Sequence, residues 1–440
     1  MELNVQRTSR SYVRPAADTP SGSLELSAID LDVGLRHMVR SLHVFQPRPH
    51  HAGGEEEGEQ QHSSSSPARV IREALGKALM DYYPFAGRLV DGAGGPTTAR
   101  VECTNEGAWF VEAFANCTLD DAACLDHHPL AIPAEGLLPD AAPGGVNPFD
   151  IPLMMQVTEF ACGGFVVGLS SSHTLTDGLG AGQFINAVAD YARGLPKPRV
   201  TPIWARDRLI PNPRKLHLVA PPPPPDPPAL RPFRYLTVDL SLDGVNRVKS
   251  QFLAATGRRC STFDVAVAKV WQARTRSLRL PDPSAPVTLC IFANARHLLH
   301  SEAAGFYGNC FFPATLAVEA GAVERADVAG VVGMVQDAKA RLAEQFARWA
   351  AGEEVENDPY ALWWRHEPLF VSDWRRLGFL EADYGWGAPL HVSPFAGLPF
   401  MPVALLSAPP APRKGVRITT QCVEEENMPA FREEMRAFEE

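Results

Sequence analysis

One histidine of this chain stands where a base would be useful. His173 lies in Ser171-Ser172-His173-Thr174-Leu175-Thr176-Asp177-Gly178. Before it comes a short β-rich run, Phe165–Leu169, and after it Gly182–Ala192 has the helical spacing of Phe184, Ile185, Val188, Ala189 and Tyr191. A histidine on such a strand-to-helix turn is presented at the end of a sheet, and its near-neutral pKa suits a general base at cellular pH. Asp177 has two possible jobs: orienting the imidazole, or bracing the loop by pairing with a cation. Alone, H-x-x-x-D is a weak signal, since among 13 histidines on the order of one such match arises by chance. No G-x-S-x-G frames Ser170, Ser171 or Ser172, so a serine nucleophile is not indicated. Gly178, Gly180 and Gly182 resemble a phosphate cradle, but their simpler use is to let the backbone pass tightly behind His173.

A second string, Asp383-Tyr384-Gly385-Trp386-Gly387, brackets a large aromatic with two glycines in a run that is neither helix nor regular strand. From the chain's own residue frequencies its accidental occurrence is of order 10⁻⁵ to 10⁻⁴. The aromatic group Trp363, Trp364, Phe370 and Trp374 offers either a stacking surface for a phenol or core packing, and core packing is the simpler use. His127-His128 after Cys124 sits in Asp- and Pro-rich loop sequence, and no Cys/His cluster has metal-ligand spacing, so no metal is expected.

The elements that must position these residues fall in two halves. The 440 residues suffice for two domains, each with its own core. Ala68–Tyr83 has one apolar helical face and ends at Pro84. In the second half, helices are expected at Asp243–Thr256, Thr262–Leu278 and Ala326–Ala350, with strands near Thr237–Leu240, Val287–Ala293, Phe400–Leu406 and Val416–Val423. Residues 50–67 are low-complexity and read as a surface loop. Residues 221–228, PPPPPDPP, form a semi-rigid extended segment. The expected organisation is an α/β domain over residues 1–194, a Pro-rich crossover over 195–232 and a second α/β domain over 233–440. With 41 basic and 51 acidic side chains, net charge −10, nothing favours a nucleic-acid backbone as partner. The N-terminal residues lack the apolar core of a signal peptide, and no apolar run approaches the roughly 18 residues of a membrane span. A cytoplasmic protein with no membrane partner is expected, its eight scattered cysteines reduced and in or near the core.

Together, H-T-L-T-D-G on a strand-to-helix turn and D-Y-G-W-G some 200 residues later resemble the BAHD family of plant coenzyme A-dependent acyltransferases, marked by H-x-x-x-D and D-F-G-W-G. Tyr384 in place of Phe keeps the aromatic ring. The likeness runs along nearly the whole chain: Tyr82-Tyr83-Pro84-Phe85-Ala86-Gly87-Arg88-Leu89, Ser261-Thr262-Phe263-Asp264 and Phe306-Tyr307-Gly308-Asn309 also look like family segments. More narrowly, residues 35–42 (LRHMVRSL), 371–374 (VSDW) and 381–383 (EAD) look like the grass hydroxycinnamoyl-CoA:monolignol transferases.

The resemblance implies two chloramphenicol-acetyltransferase-like domains, each a mixed β-sheet with flanking helices, and an active-site channel at their interface. His173 would be the general base for direct transfer, with no covalent acyl-enzyme. Asp177 would pair with Arg296 and brace the loop, while Gly178, Gly385, Trp386 and Gly387 would support the site. Asp383 carries a catalytic label in some descriptions of the family and is kept as a site residue of open role. Acyl-CoA would be a co-substrate rather than a bound cofactor. Without a glycine-rich phosphate loop, cations must meet its phosphates, and Lys249, Arg258 and Arg259 flank Ser261 and Thr262 where similar proteins line the CoA path. Arg274, Arg276 and Arg279 read as scattered surface charges. The implied partners are p-coumaroyl-CoA and a monolignol, with other acyl-CoAs or acceptor alcohols as alternatives, acting on a monomer. Two further readings are a carrier-protein-dependent condensation domain, disfavoured because Ser172 replaces the usual first histidine, and a non-catalytic scaffold.

Overall fold

The structure is a computed structural model that describes residues 3–48, 66–210, 233–299, 303–353, 359–360, 367–395 and 401–436. Two six-stranded mixed sheets organise it. The first runs Val5–Val13, Ala108–Ala115, Leu153–Phe160, Phe165–Ser172, Met38–Phe45, His391–Phe395. The second runs Phe311–Glu319, Pro286–Asn294, Leu369–Asp373, Val403–Ser407, Gly415–Gln421, Tyr235–Ser241. A three-stranded sheet of Gly22–Glu25, Gly95–Cys103 and Arg88–Gly92 flanks the first. A cut at residue 233 does not follow these sheets. His391–Phe395, from the second half, pairs antiparallel with Met38–Phe45, setting Val392 opposite His43. Backbone ladder bonds therefore tie the halves together, which sequence periodicity cannot reveal.

Helices cover the sheets where apolar faces demand it. Pro67–Asp81 begins with Pro at its first position and Ser66 as cap, buries Ile71, Leu75, Ala78 and Leu79, and packs on Gly178–Ala192. Thr262–Leu278 opens with a full capping box: Ser261 Oγ accepts from Asp264 N–H at 3.1 Å, and Asp264 Oδ2 accepts from Ser261 N–H at 2.8 Å. Its predicted limits hold. The single helix expected over 326–350 is instead two, Val328–Ala340 and Leu342–Ala350, parted at Arg341. They serve different cores: Val331, Val332 and Val335 pack in the second domain, whereas Phe346 and Trp349 join the core that includes the first. Arg274 is no surface charge. It is 5% exposed, and its guanidinium donates to the carbonyls of Cys422 and Glu367 at 2.9 Å each. Arg276 is also drawn in, donating to the Glu324 and Ala326 carbonyls. Cys162 is exposed, unlike the core thiols Cys290, Cys310 and Cys422. Residues 50–65, 221–228 and Phe400 lie outside the described residues. Among the described residues no helix is long and apolar enough to cross a membrane.

Candidate active site

His173 follows the last residue of Phe165–Ser172, a strand buried along its whole length between Leu153–Phe160 and Met38–Phe45. Its backbone N–H donates to the His37 carbonyl at 3.0 Å. The imidazole lies 5.2 Å from the His37 ring and 6.1 Å from Phe311, and Nδ1 is 3.1 Å from Asn309 Oδ1. The amide dictates the tautomer. Asn309 Nδ2 donates to Asp30 Oδ1 and to the His173 carbonyl, each at 2.8 Å, so both amide hydrogens are used and Oδ1 is the atom left for the ring. Nδ1 must therefore carry the proton it donates, and Nε2 presents a lone pair. Burial holds the His173 pKa below the usual histidine value despite the opposing pull of its own backbone carbonyl, Asp177 and Asn309, so the ring is neutral at pH 7. A half-buried neutral imidazole with an unpartnered Nε2 among the described residues is an arrangement for taking a proton.

Asp177 does not touch that ring through any hydrogen bond. It caps helix Gly178–Ala192, accepting from Gly180 N–H at 3.0 Å, and it accepts from Cys310 N–H at 3.0 Å. Arg296 meets it with two parallel bonds, 2.7 Å from Nη1 and 2.9 Å from Nη2. The same guanidinium donates to the carbonyls of Phe306 and Gly308. Burial alone would raise the Asp177 carboxyl; Arg296 and the backbone donors outweigh it and hold the carboxyl below its ordinary range. The pair thus pins the 306–310 segment, which carries Asn309, against the histidine turn. The helix starts at Gly178, earlier than its apolar spacing suggested, because Asp177 caps it there. A Cβ on Gly180 or Gly182 would sit 2.0 Å from the Tyr307 carbonyl or 1.7 Å from that of Leu377, so these glycines admit neighbouring backbone.

The D-Y-G-W-G string is elsewhere. Tyr384 packs on Phe45 and Trp386 on Phe165. Phe165 is the first residue of the strand that His173 follows, about 26 Å along the chain at the usual rise per residue. Asp383 Oδ1 accepts from Gly385 and Gly387 N–H at 2.7 and 2.8 Å, and both glycines have positive φ, +101° and +88°. Arg48 lies over Trp386 at 4.0 Å and donates to the Gly385 carbonyl. Asp383 therefore folds its own loop, and its bonds end on Gly385 and Gly387 rather than on His173.

The coenzyme A candidates gather around the start of Thr262–Leu278. Lys249 Nζ donates to Thr262 Oγ1 at 2.6 Å, Ser261 is the exposed cap, Arg258 meets Asp337 at 3.2 Å, and Arg259 is exposed. Trp363 and Trp364 lie outside the described residues; Phe370 and Trp374 are core residues stacked on Phe292 and Phe379. Asn309 and His37 carry no assigned role in the sequence reading, although both lie in strings that resemble the family. His37 Nδ1 is 2.8 Å from the Gly34 carbonyl, and burial, aided by His173, pushes its pKa down to about 3.

Residues 3–438 match the profile of the Transferase family. Acyl transferase 4 of Oryza sativa subsp. japonica is 62% identical over 100% of both chains. A myricetin 3-O-glucosyl 1,2-rhamnoside 6'-O-caffeoyltransferase of Crocosmia x crocosmiiflora is 37% identical, again over 100% of both. The crystal structure of vinorine synthase has the same fold, with a TM-score of 0.73 at 20% identity over 99% of this chain and 98% of that one. The chain belongs to this transferase family, that of the BAHD acyltransferases, and is an acyl-CoA-dependent acyltransferase.

Proposed function

We propose that the protein moves a hydroxycinnamoyl group, p-coumaroyl foremost, from coenzyme A to the primary hydroxyl of a monolignol such as coniferyl alcohol. The observation that carries the mechanism is the neutral His173 ring, its proton held on Nδ1 by Asn309 and its Nε2 open. Nε2 takes the proton of the acceptor hydroxyl as that oxygen bonds to the thioester carbonyl carbon. The tetrahedral intermediate collapses, the carbon–sulfur bond breaks, and the CoA thiolate recovers the proton from Nε2. Both substrates meet at one imidazole, so no acyl-enzyme is needed. Lys249, Arg258 and Arg259, near Ser261 and Thr262, are the groups proposed to meet the CoA phosphates. The substrate pair is supported by residues 35–42, 371–374 and 381–383, and by a relative named for caffeoyl transfer.

The test is thiol release from p-coumaroyl-CoA by the purified protein, with and without coniferyl alcohol, with product mass recorded. Release that requires the alcohol and yields a coumaroyl ester is expected. Release without the alcohol, or release only with other acyl-CoAs or alcohols, would overturn the substrate assignment.

A further inference from the structure

A buried ion pair that no motif announces stands behind His173. Asp30, in Leu26-Ser27-Ala28-Ile29-Asp30, is 1% exposed, and Arg206 is 1% exposed. Arg206 Nε donates to Asp30 Oδ2 at 2.7 Å, and the same oxygen accepts from Ser27 N–H at 2.9 Å and Ser27 Oγ at 2.8 Å. Asp30 Oδ1 faces the other way and accepts from Asn309, from Nδ2 at 2.8 Å and from the backbone N–H at 3.3 Å. Arg206 also donates to the Leu175 carbonyl within the histidine turn, and its guanidinium lies 3.6 Å above the Trp204 ring. Two charges this deep are expensive to bury without a use, because desolvation offsets most of their attraction.

The use follows from the amide between them. An asparagine side chain is nearly symmetric in shape, so Asn309 has two orientations and only one suits a base at Nε2. With Nδ2 turned to Asp30, Oδ1 meets the ring and the proton stays on Nδ1. With the amide turned over, Oδ1 would oppose both the Asp30 carboxylate and the His173 carbonyl, and Nδ2 would donate to Nδ1, driving the ring proton to Nε2 and abolishing the base. The negative charge of Asp30 forbids the second orientation, and Arg206 and Ser27 keep that charge in place. Building on the reading of His173 as base, we propose that Asp30 is a positioning residue that, through Asn309, locks the His173 proton on Nδ1. The orienting carboxylate of this histidine is then Asp30 at second hand, and Asp177 is left to the loop.

Asp30→Asn is the direct test, because Ser27 and Arg206 are donors and force the new amide to face them with its oxygen. Its NH₂ then opposes the Asn309 NH₂, which leaves only the His173 and Thr174 carbonyls to hold that amide and favours the turned-over orientation. Thiol release from p-coumaroyl-CoA with coniferyl alcohol should show kcat lowered on the order of 10²- to 10⁴-fold, the range for a lost or mistautomerised base, with KM unchanged. The swap Asp30→Asn/Asn309→Asp puts an acceptor back on Nδ1, and should regain at least about tenfold of that loss. Its carboxylate beside the ring should also move the acid limb of the pH profile upward, a change that mere structural repair would not produce. Asp30→Asn/Arg206→Met removes the unpaired cation, so it should be folded by circular dichroism yet still slow. Wild-type kcat in Asp30→Asn, or activity in either carboxylate-free variant that tracks only the folded fraction, would overturn the inference. His173→Ala separates the two readings: activity there defeats the base itself, whereas a dead His173→Ala beside a fully active Asp30→Asn defeats only the role of Asp30.

Discussion

Removing the Asp177 carboxylate should damage folding far more than it alters the chemistry per folded molecule. Four bonds end on it: two from Arg296 at 2.7 and 2.9 Å, and one each from Gly180 and Cys310 N–H at 3.0 Å. The Asp177 and Arg296 side chains are only 10% and 15% exposed, so solvent cannot replace the lost partner. Breaking such a pair from one side destabilises by about 3–5 kcal/mol, and loss of the helix cap adds roughly 1 kcal/mol. Against a total of about 5–15 kcal/mol this is severe, and at roughly 2–4 °C per kcal/mol it lowers Tm by on the order of 10 °C. Asp177→Asn retains an oxygen for the cap, so it should lose less than Asp177→Ala while still stranding Arg296. Thermal unfolding by circular dichroism should give Tm falling in the order wild type, Asn, Ala. Kinetics well below both transitions should show kcat per folded molecule nearly kept in all three proteins, with the acid limb displaced only downward in the variants, because the lost Asp177 charge had raised the His173 pKa. A Tm within about 2 °C of wild type, with kcat collapsed, would refute the bracing role and return Asp177 to the chemistry.

Three shorter predictions concern other parts of the molecule. The Tyr384 hydroxyl is buried with no hydrogen-bond partner among the described residues, so Tyr384→Phe should raise stability by about 1–3 kcal/mol; an unchanged or lower Tm would contradict this. His43 is buried beside His391, and burial, then that neighbour, pushes its pKa down to about 3. Below about pH 6.5 the unfolded chain takes a proton there and the folded chain does not, so stability present above that pH is lost as pH falls toward 3, by about 1.4 kcal/mol per unit. Tm measured from pH 7 to pH 5 should fall less steeply in His43→Gln, and an equal slope would exclude this source. Asp383→Ala should lower Tm by freeing the Gly385 and Gly387 N–H groups while kcat per folded molecule is unchanged; an inactive but fully stable variant would contradict its placement.

Features written within a short stretch were legible in the sequence. Helix Thr262–Leu278 has its capping box inside four consecutive residues, and the His173 turn lies between a β-rich run and an apolar helical face. Those signals need no distant partner. Asp30, Asn309 and His173 lie 279 and 136 residues apart along the chain, and each acquires meaning only when the others arrive. Arg274 misled for a related reason: charge suggests solvent, but carbonyls of Cys422 and Glu367 were waiting in the fold. The crossing of His391–Phe395 into the first sheet is set by a register with Met38–Phe45 that neither segment displays alone. The D-Y-G-W-G string shows the opposite hazard. Its rarity marked it as important, yet rarity reports a demanding backbone as readily as a catalytic group.

The most direct test of the account is the pH dependence of kcat/KM for acyl transfer, since it reports the base of the free enzyme. Burial lowers the His173 pKa, so activity should be flat above about pH 6.5 and fall only on the acid side of that value, with His173→Ala reduced by about 10²- to 10⁴-fold throughout. An acid limb centred above pH 7, or a His173→Ala protein that keeps the wild-type profile, would contradict a neutral His173 acting through Nε2.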